Sequence, residues 1–234
     1  MKTILFDLDA TLLPMDQDRF TMLFFRSLSE FYQKNNKDRP KFQEAFTKGL
    51  EGMVSNNGTQ TNEERFWEVY EKFFPQYIES DKIFTKEYYK KEFVKAKLAC
   101  NPNPEIPDVI RTLKQQGYRL VLATNPVFPL IAQKKRVEWA GLEANDFDYI
   151  SSYENSSYCK PNPKYYAEII QKLNLRVEDC VMVGNDATED MVAETLGIKV
   201  FLLTDGLINT NQIDITKFPQ GSFKQLLQFL KELD

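Results

Sequence analysis

The stretch ILFDLDATLLP, residues 4–14, begins as a strand and then breaks its own pattern. Ile4, Leu5 and Phe6 are consecutive bulky apolar residues, as in a strand buried on both faces. Asp7 and Asp9 then place two carboxylates where that strand should end. Residues i and i+2 of a strand face the same way, roughly 6–7 Å apart. Two carboxylates so placed repel, and a cation between them relieves the repulsion.

Further along the chain, other short apolar runs read as buried parallel strands: Thr3–Leu8 itself, Arg119–Thr124, Phe147–Ser151, Cys180–Gly184 and Lys199–Leu203. Helical stripes lie between them, with Tyr165, Ile169 and Leu173 in one and Phe223, Leu226, Leu227 and Leu230 in another. This alternation, from about Pro104 onward, implies an α/β fold with a doubly wound, Rossmann-like parallel sheet. Residues 16–100 differ: they show helical stripes, no clear strand, and more than half of the chain's aromatic residues. The segment leaves near Pro14 and returns through NPNPEIP, 101–107. It reads as an inserted α-helical cap domain, 16–100, on a core formed by 1–15 and 101–234. Within it, Met53–Gln60 reads as a loop, and Thr61 with Glu64 as a capping box opening the next helix.

The 234 residues carry a net charge of −4 without a strong basic cluster, so no nucleic-acid footprint is expected. No apolar run approaches a membrane span of about 20 residues, and Asp7 and Asp9 interrupt the only early one. Cys100, Cys159 and Cys180 are far apart and lack metal-site spacing; they read as reduced thiols in a cytoplasmic protein. There is no histidine. That excludes Ser-His-Asp and Cys-His catalysis and histidine-ligated zinc, and leaves oxygen ligands for a hard cation.

Ligands of an open α/β sheet bind beyond the carboxyl ends of its strands. Here those ends carry Asp7 and Asp9; Thr124 and Asn125; and Asn185 and Asp186, with Asp190 about a turn later. Lys160 lies in YCKPNP before a helix. One acid at a strand end is commonly a cap; three such ends plus a loop lysine point to a site. Asp7, Asp9 and Asp186 suit Mg²⁺, which takes few carboxylates together with a phosphate oxygen. A carboxylate can attack phosphorus, and a second can protonate the leaving oxygen and then activate water.

DLDAT, Thr124, Lys160-Pro161 and GNDATED together resemble the four motifs of the haloacid dehalogenase superfamily, over almost the whole chain. The insert resembles the helical C1 cap. The resemblance implies Asp7 as nucleophile, Asp9 as acid/base, and Thr124, Asn125 and Lys160 as phosphate binders. It implies Asp186 and the Asp9 carbonyl on Mg²⁺, with Thr11, Asn185 and Asp190 in support. Two departures stand out: Ala10 where glycine is usual, and Gly-Asn-Asp in place of Gly-Asp in the fourth motif. The expected activity is a Mg²⁺-dependent phosphatase of a small phosphorylated metabolite. The alternatives are a phosphotransferase or phosphomutase using the same aspartyl phosphate, and a silent binding protein. The loop 53–60 reads either as a plain connector or as a polar loop over the site, in which case Asn56 and Asn57 are expected to touch the leaving group and set selectivity. Cap residues Arg19, Arg26, Lys48 and Arg65 are cationic helix residues of the kind usually solvated.

Overall fold

The computed structural model describes residues 2–35, 37 and 40–233. Six strands form one parallel sheet in the order β3-β2-β1-β4-β5-β6. They are β1 Thr3–Phe6, β2 Arg119–Leu122, β3 Tyr149–Ile150, β4 Cys180–Gly184, β5 Lys199–Leu203 and β6 Gln220–Gly221. The chain starts in the middle at β1, runs outward through β2 and β3, then returns to β4 on the other side of β1. β1 and β4 are therefore neighbours at the point where the winding reverses, with Phe6 opposite Val183. A crevice opens at the carboxyl end of such a switch point.

Both faces of the sheet are covered. Ile4 and Phe6 pack into one apolar layer with α5 (Ile106–Gln115), α6 (Leu130–Trp139) and α8 (Phe223–Glu232). Leu5 enters the other, with α7 (Pro163–Lys172) and the 3₁₀ segment Met191–Leu196. This is why the strands read as unbroken apolar runs. The expected strands at Cys180 and Lys199 keep their bounds, while those at Thr3, Arg119 and Phe147 end earlier. Asp7 and Ser151, just past the ends of β1 and β3, still donate their amides to the neighbouring strands, at Val183 and Leu122.

The segment between β1 and α5 holds α1 Gln17–Lys34, α2 Phe42–Val54, α3 Asn62–Glu71 and α4 Ile78–Lys91, followed by a 3₁₀ turn, Phe93–Ala99. Among the described residues its strand-like contacts are two isolated bridges, Asp9 to Leu13 in the turn after β1 and the antiparallel Met15 to Cys100. There the Asp16 amide donates to the Ala99 carbonyl (3.0 Å) and the Asn101 amide to that of Pro14 (2.8 Å). The insert's entry and exit thus lie side by side. Its aromatic filling continues into the apolar layer of the sheet: Phe93 stacks on Trp139 at 5.1 Å, and Phe20 meets Phe128 edge-on at 6.0 Å. No helix of the described residues is long and apolar enough to cross a membrane.

Candidate active site

Asp7 follows β1, and its amide donates to the Val183 carbonyl of β4 (2.9 Å), which fixes it at the switch point. Lys160 reaches it from the loop before α7. Its buried ammonium donates to Asp7 Oδ1 (2.7 Å) and Asp190 Oδ1 (2.6 Å). Burial opposes the Lys160 charge, but Asp190 and then Asp7 hold its pKa well above the ordinary value. Burial pushes Asp7 up to about 7; Lys160 opposes this, and Asp190 and Asp9 add to it. Asp190 is committed at both oxygens, because Oδ2 accepts the Asp186 amide (2.9 Å). Gly184 makes room for it: a Cβ there would stand 2.1 Å from Asp190 Oδ2.

Asp186 accepts the amides of Thr188 (2.7 Å) and Glu189 (2.8 Å) at Oδ1, which shapes its own turn. Asn185 is held at both ends of its amide: Thr11 Oγ1 donates to Oδ1 (2.8 Å), and Nδ2 donates to the Gly206 carbonyl (2.6 Å). Ala10 has φ 58°, in the left-handed region that glycine adopts without strain. Its carbonyl lies where a side chain on Gly206 would be, 2.3 Å from that Cβ. Thr124 is held through its carbonyl by Ser151 Oγ (2.6 Å) and Tyr165 OH (2.9 Å). Asn125 Nδ2 donates to Glu189 (3.1 Å), whose pKa burial raises, and Asn125 Oδ1 is buried without a partner.

Asp7, Asp9, Thr124, Asn125, Asn185, Asp186 and Asp190 all line one cavity of about 310 Å³. Lys160 sits behind Asp7 rather than on the wall, and Thr11 stands behind Asn185.

Asp7, Asp9 and Asp186, read from the sequence as a metal-binding set, line the same cavity. Among the described residues no three acidic or thiol side chains group closely enough to hold a metal ion. Asp9 turns instead to Arg136, a wholly buried guanidinium on α6 that also bonds Gln133 and lies 4.7 Å from the Phe128 ring. Asp9 Oδ1 is left buried and unpaired.

Asn56 and Asn57 do not reach the cavity. Asn56 is buried and donates to Asn62 Oδ1 (2.9 Å) and the Gln60 carbonyl (3.0 Å). Asn57 is exposed and accepts from the Thr59 amide and hydroxyl of its own turn. The reason is that α2 runs on through Val54, so the loop is shorter than the polar composition suggested and packs against the core loop at Tyr158. Arg26, Lys48 and Arg65 pair with Glu30, Glu51 and Glu68 along their own helices.

Comparison with known proteins adds the family. Residues 1–193 match the family described as haloacid dehalogenase-like hydrolase. A phosphoglycolate phosphatase of Aquifex aeolicus is 26% identical over 216 residues, covering 90% of this chain and 88% of that protein. A glyceraldehyde 3-phosphate phosphatase of Methanothermobacter thermautotrophicus is 25% identical over 229 residues, covering 92% and 94%. The crystal structure of a predicted phosphoglycolate phosphatase from Haemophilus somnus superposes with a TM-score of 0.57 at 19% identity, covering 98% of each chain. The resemblance carried by the four motifs is borne out: this chain belongs to the haloacid dehalogenase-like hydrolase family and stands with its phosphatases.

Proposed function

We propose that the chain is a Mg²⁺-dependent phosphatase of a small phosphorylated metabolite, working through a phosphorylated Asp7. The observation that carries this reading is the convergence of Asp7, Thr124, Asp186 and Asp190 on one cavity at the switch point, with Lys160 bridging Asp7 and Asp190 from behind. Five carboxylates face that cavity, with Lys160 and Arg136 as the buried cations paired to them. The surplus of hard anionic oxygen suits a divalent cation. Asp7, Asp186 and the Asp9 carbonyl would hold Mg²⁺, the remaining ligands being water and phosphate oxygen. Mg²⁺ would supply charge neutralisation at the phosphoryl oxygens.

The chain's own residues do the rest. Lys160 holds Asp7 Oδ1, which leaves Oδ2 to attack phosphorus as the bond to the leaving oxygen breaks. Thr124 and Asn125 steady the phosphoryl group. Asp9 gives a proton to the leaving oxygen, then takes one from the water that hydrolyses the acyl phosphate. Residues 16–100 act as a cap, over a core of 1–15 and 101–234, and exclude bulk water.

Asp7→Asn replaces the nucleophile by a nearly isosteric amide, so turnover should vanish while the far-UV spectrum is kept. Acid quench of the wild type during turnover should trap one phosphoryl group on Asp7, seen by peptide mass analysis. Full activity in a folded Asp7→Asn protein rejects the mechanism.

A further inference from the structure

We infer that the leaving group of the substrate is uncharged and largely apolar: a compact alkyl or aryl alcohol esterified to phosphate, with no second anion. This rests on the phosphatase reading above and narrows it. The cavity has two unlike halves. The floor holds the acids of the strand ends. The rest of the lining is a wall mostly of Phe24, Phe25 and Leu50 of the insert with Val127 and Phe128 of the core, to which Gln17 and Thr21 add the uncharged polar groups. The Phe24 ring meets those of Phe128 and Phe25 edge-on, each at 5.3 Å, so the wall is a packed aromatic surface.

Every charged side chain among the described lining residues is an acid. The two buried cations that pair with those acids are already committed: Lys160 to Asp7 and Asp190, and Arg136 to Asp9 beside the Phe128 ring. A carboxylate or second phosphate on the leaving group would shed water against this wall, meet no cationic side chain in exchange, and face the acids of the floor. An apolar group would instead gain from losing its hydrated surface. At about 310 Å³ the cavity lies at the small end for ligand pockets, enough for phosphate and a short chain or single ring. Phosphoglycolate, which names one relative, carries a carboxylate next to its phosphate ester, and this cavity is built against it.

The test compares benzyl phosphate with 4-carboxybenzyl phosphate, which differ by one remote carboxylate, on the full chain with Mg²⁺; 4-nitrophenyl phosphate serves as the control. The expected preference in kcat/KM for benzyl phosphate is about tenfold or more. Equal or reversed preference overturns the inference and leaves the phosphatase reading standing. No turnover of any of the three removes that reading, and this one with it. Leu50→Arg places a cation on the wall and should lower the preference about tenfold; an unchanged preference in the folded variant overturns the assignment of that wall. The wild-type comparison decides the matter if the variant does not fold.

Discussion

Arg136 is the residue least visible from the motifs and closest to their chemistry. A guanidinium with no exposed surface is tolerated because Asp9 and Gln133 accept from it and its carbon lies over the Phe128 ring, 4.7 Å from the centroid. Gln133, Arg136, Val137 and Ala140 fall at i, i+3, i+4 and i+7, a buried helical stripe whose first two members are polar. That spacing was readable; nothing in it named Asp9 as the partner, because the two lie 127 positions apart. Asp9 itself can be tested through the leaving group. In Asp9→Asn, benzyl phosphate needs a proton donor it no longer has, and its first step should slow by about 10²–10⁴. Nitrophenolate departs without help, so 4-nitrophenyl phosphate should give a fast burst near one equivalent and then stall. Stopped-flow absorbance reads the burst; equal slowing of both substrates with no burst counts against proton donation by Asp9.

At the scale of the element, the start of α3 shows how the insert is tied down. All four of its leading amides are satisfied. Thr61 and Glu64 exchange the capping-box bonds expected from TNEE, while the Asn62 and Glu63 amides donate to the core carbonyls of Ser156 and Tyr153, each at 2.8 Å. The wholly buried Asn62 side chain accepts from Asn56 and donates toward the Pro126 carbonyl. Asn62→Ala should therefore cost about 1–3 kcal/mol, and Asn57→Ala, on an exposed turn, less than about 0.5 kcal/mol; thermal unfolding measures both. Equal effects would mean that this junction does not hold the insert to the core. The capping box was legible because it is local. The role of Asn56 was not, because its partner comes from the next helix. β6 and the shortness of β3 were hidden for a related reason: two-residue strands carry no periodicity, and only their neighbours define them.

For the whole molecule, the order of the motifs along the chain was enough to place the catalytic strand ends together, since parallel winding sends every carboxyl end to one side. Which side chains turn toward the cavity and which toward each other depends on packing, and the sequence named neither Arg136 as the partner of Asp9 nor Asn62 as that of Asn56. The burial of Asp7, with Asp190 and Asp9 nearby, has a global signature. With its pKa raised to about 7, Asp7 stays protonated in the folded metal-free protein over a range in which the unfolded chain has already lost that proton. Its contribution to stability therefore falls as pH rises from about 4 to about 7 and is flat above. After chelation, the unfolding temperature should be lower near pH 8 than near pH 5 by an increment that Asp7→Asn abolishes. An unchanged pH slope in Asp7→Asn assigns the effect elsewhere.

The bridge from Met15 to Cys100 has a consequence for how such a protein diversifies. Because the insert leaves and re-enters at one point, its length costs the core little: doubling a closed loop adds only about 0.6 kcal/mol. A lineage can lengthen, shorten or rebuild the roof while the acids below stay in register. The freedom has one limit. Any replacement must still shelter Trp139 and the Phe128 ring, which Phe93 covers here. New specificities should therefore arise by exchanging the roof as a cassette, around an aromatic hinge pin that descendants keep.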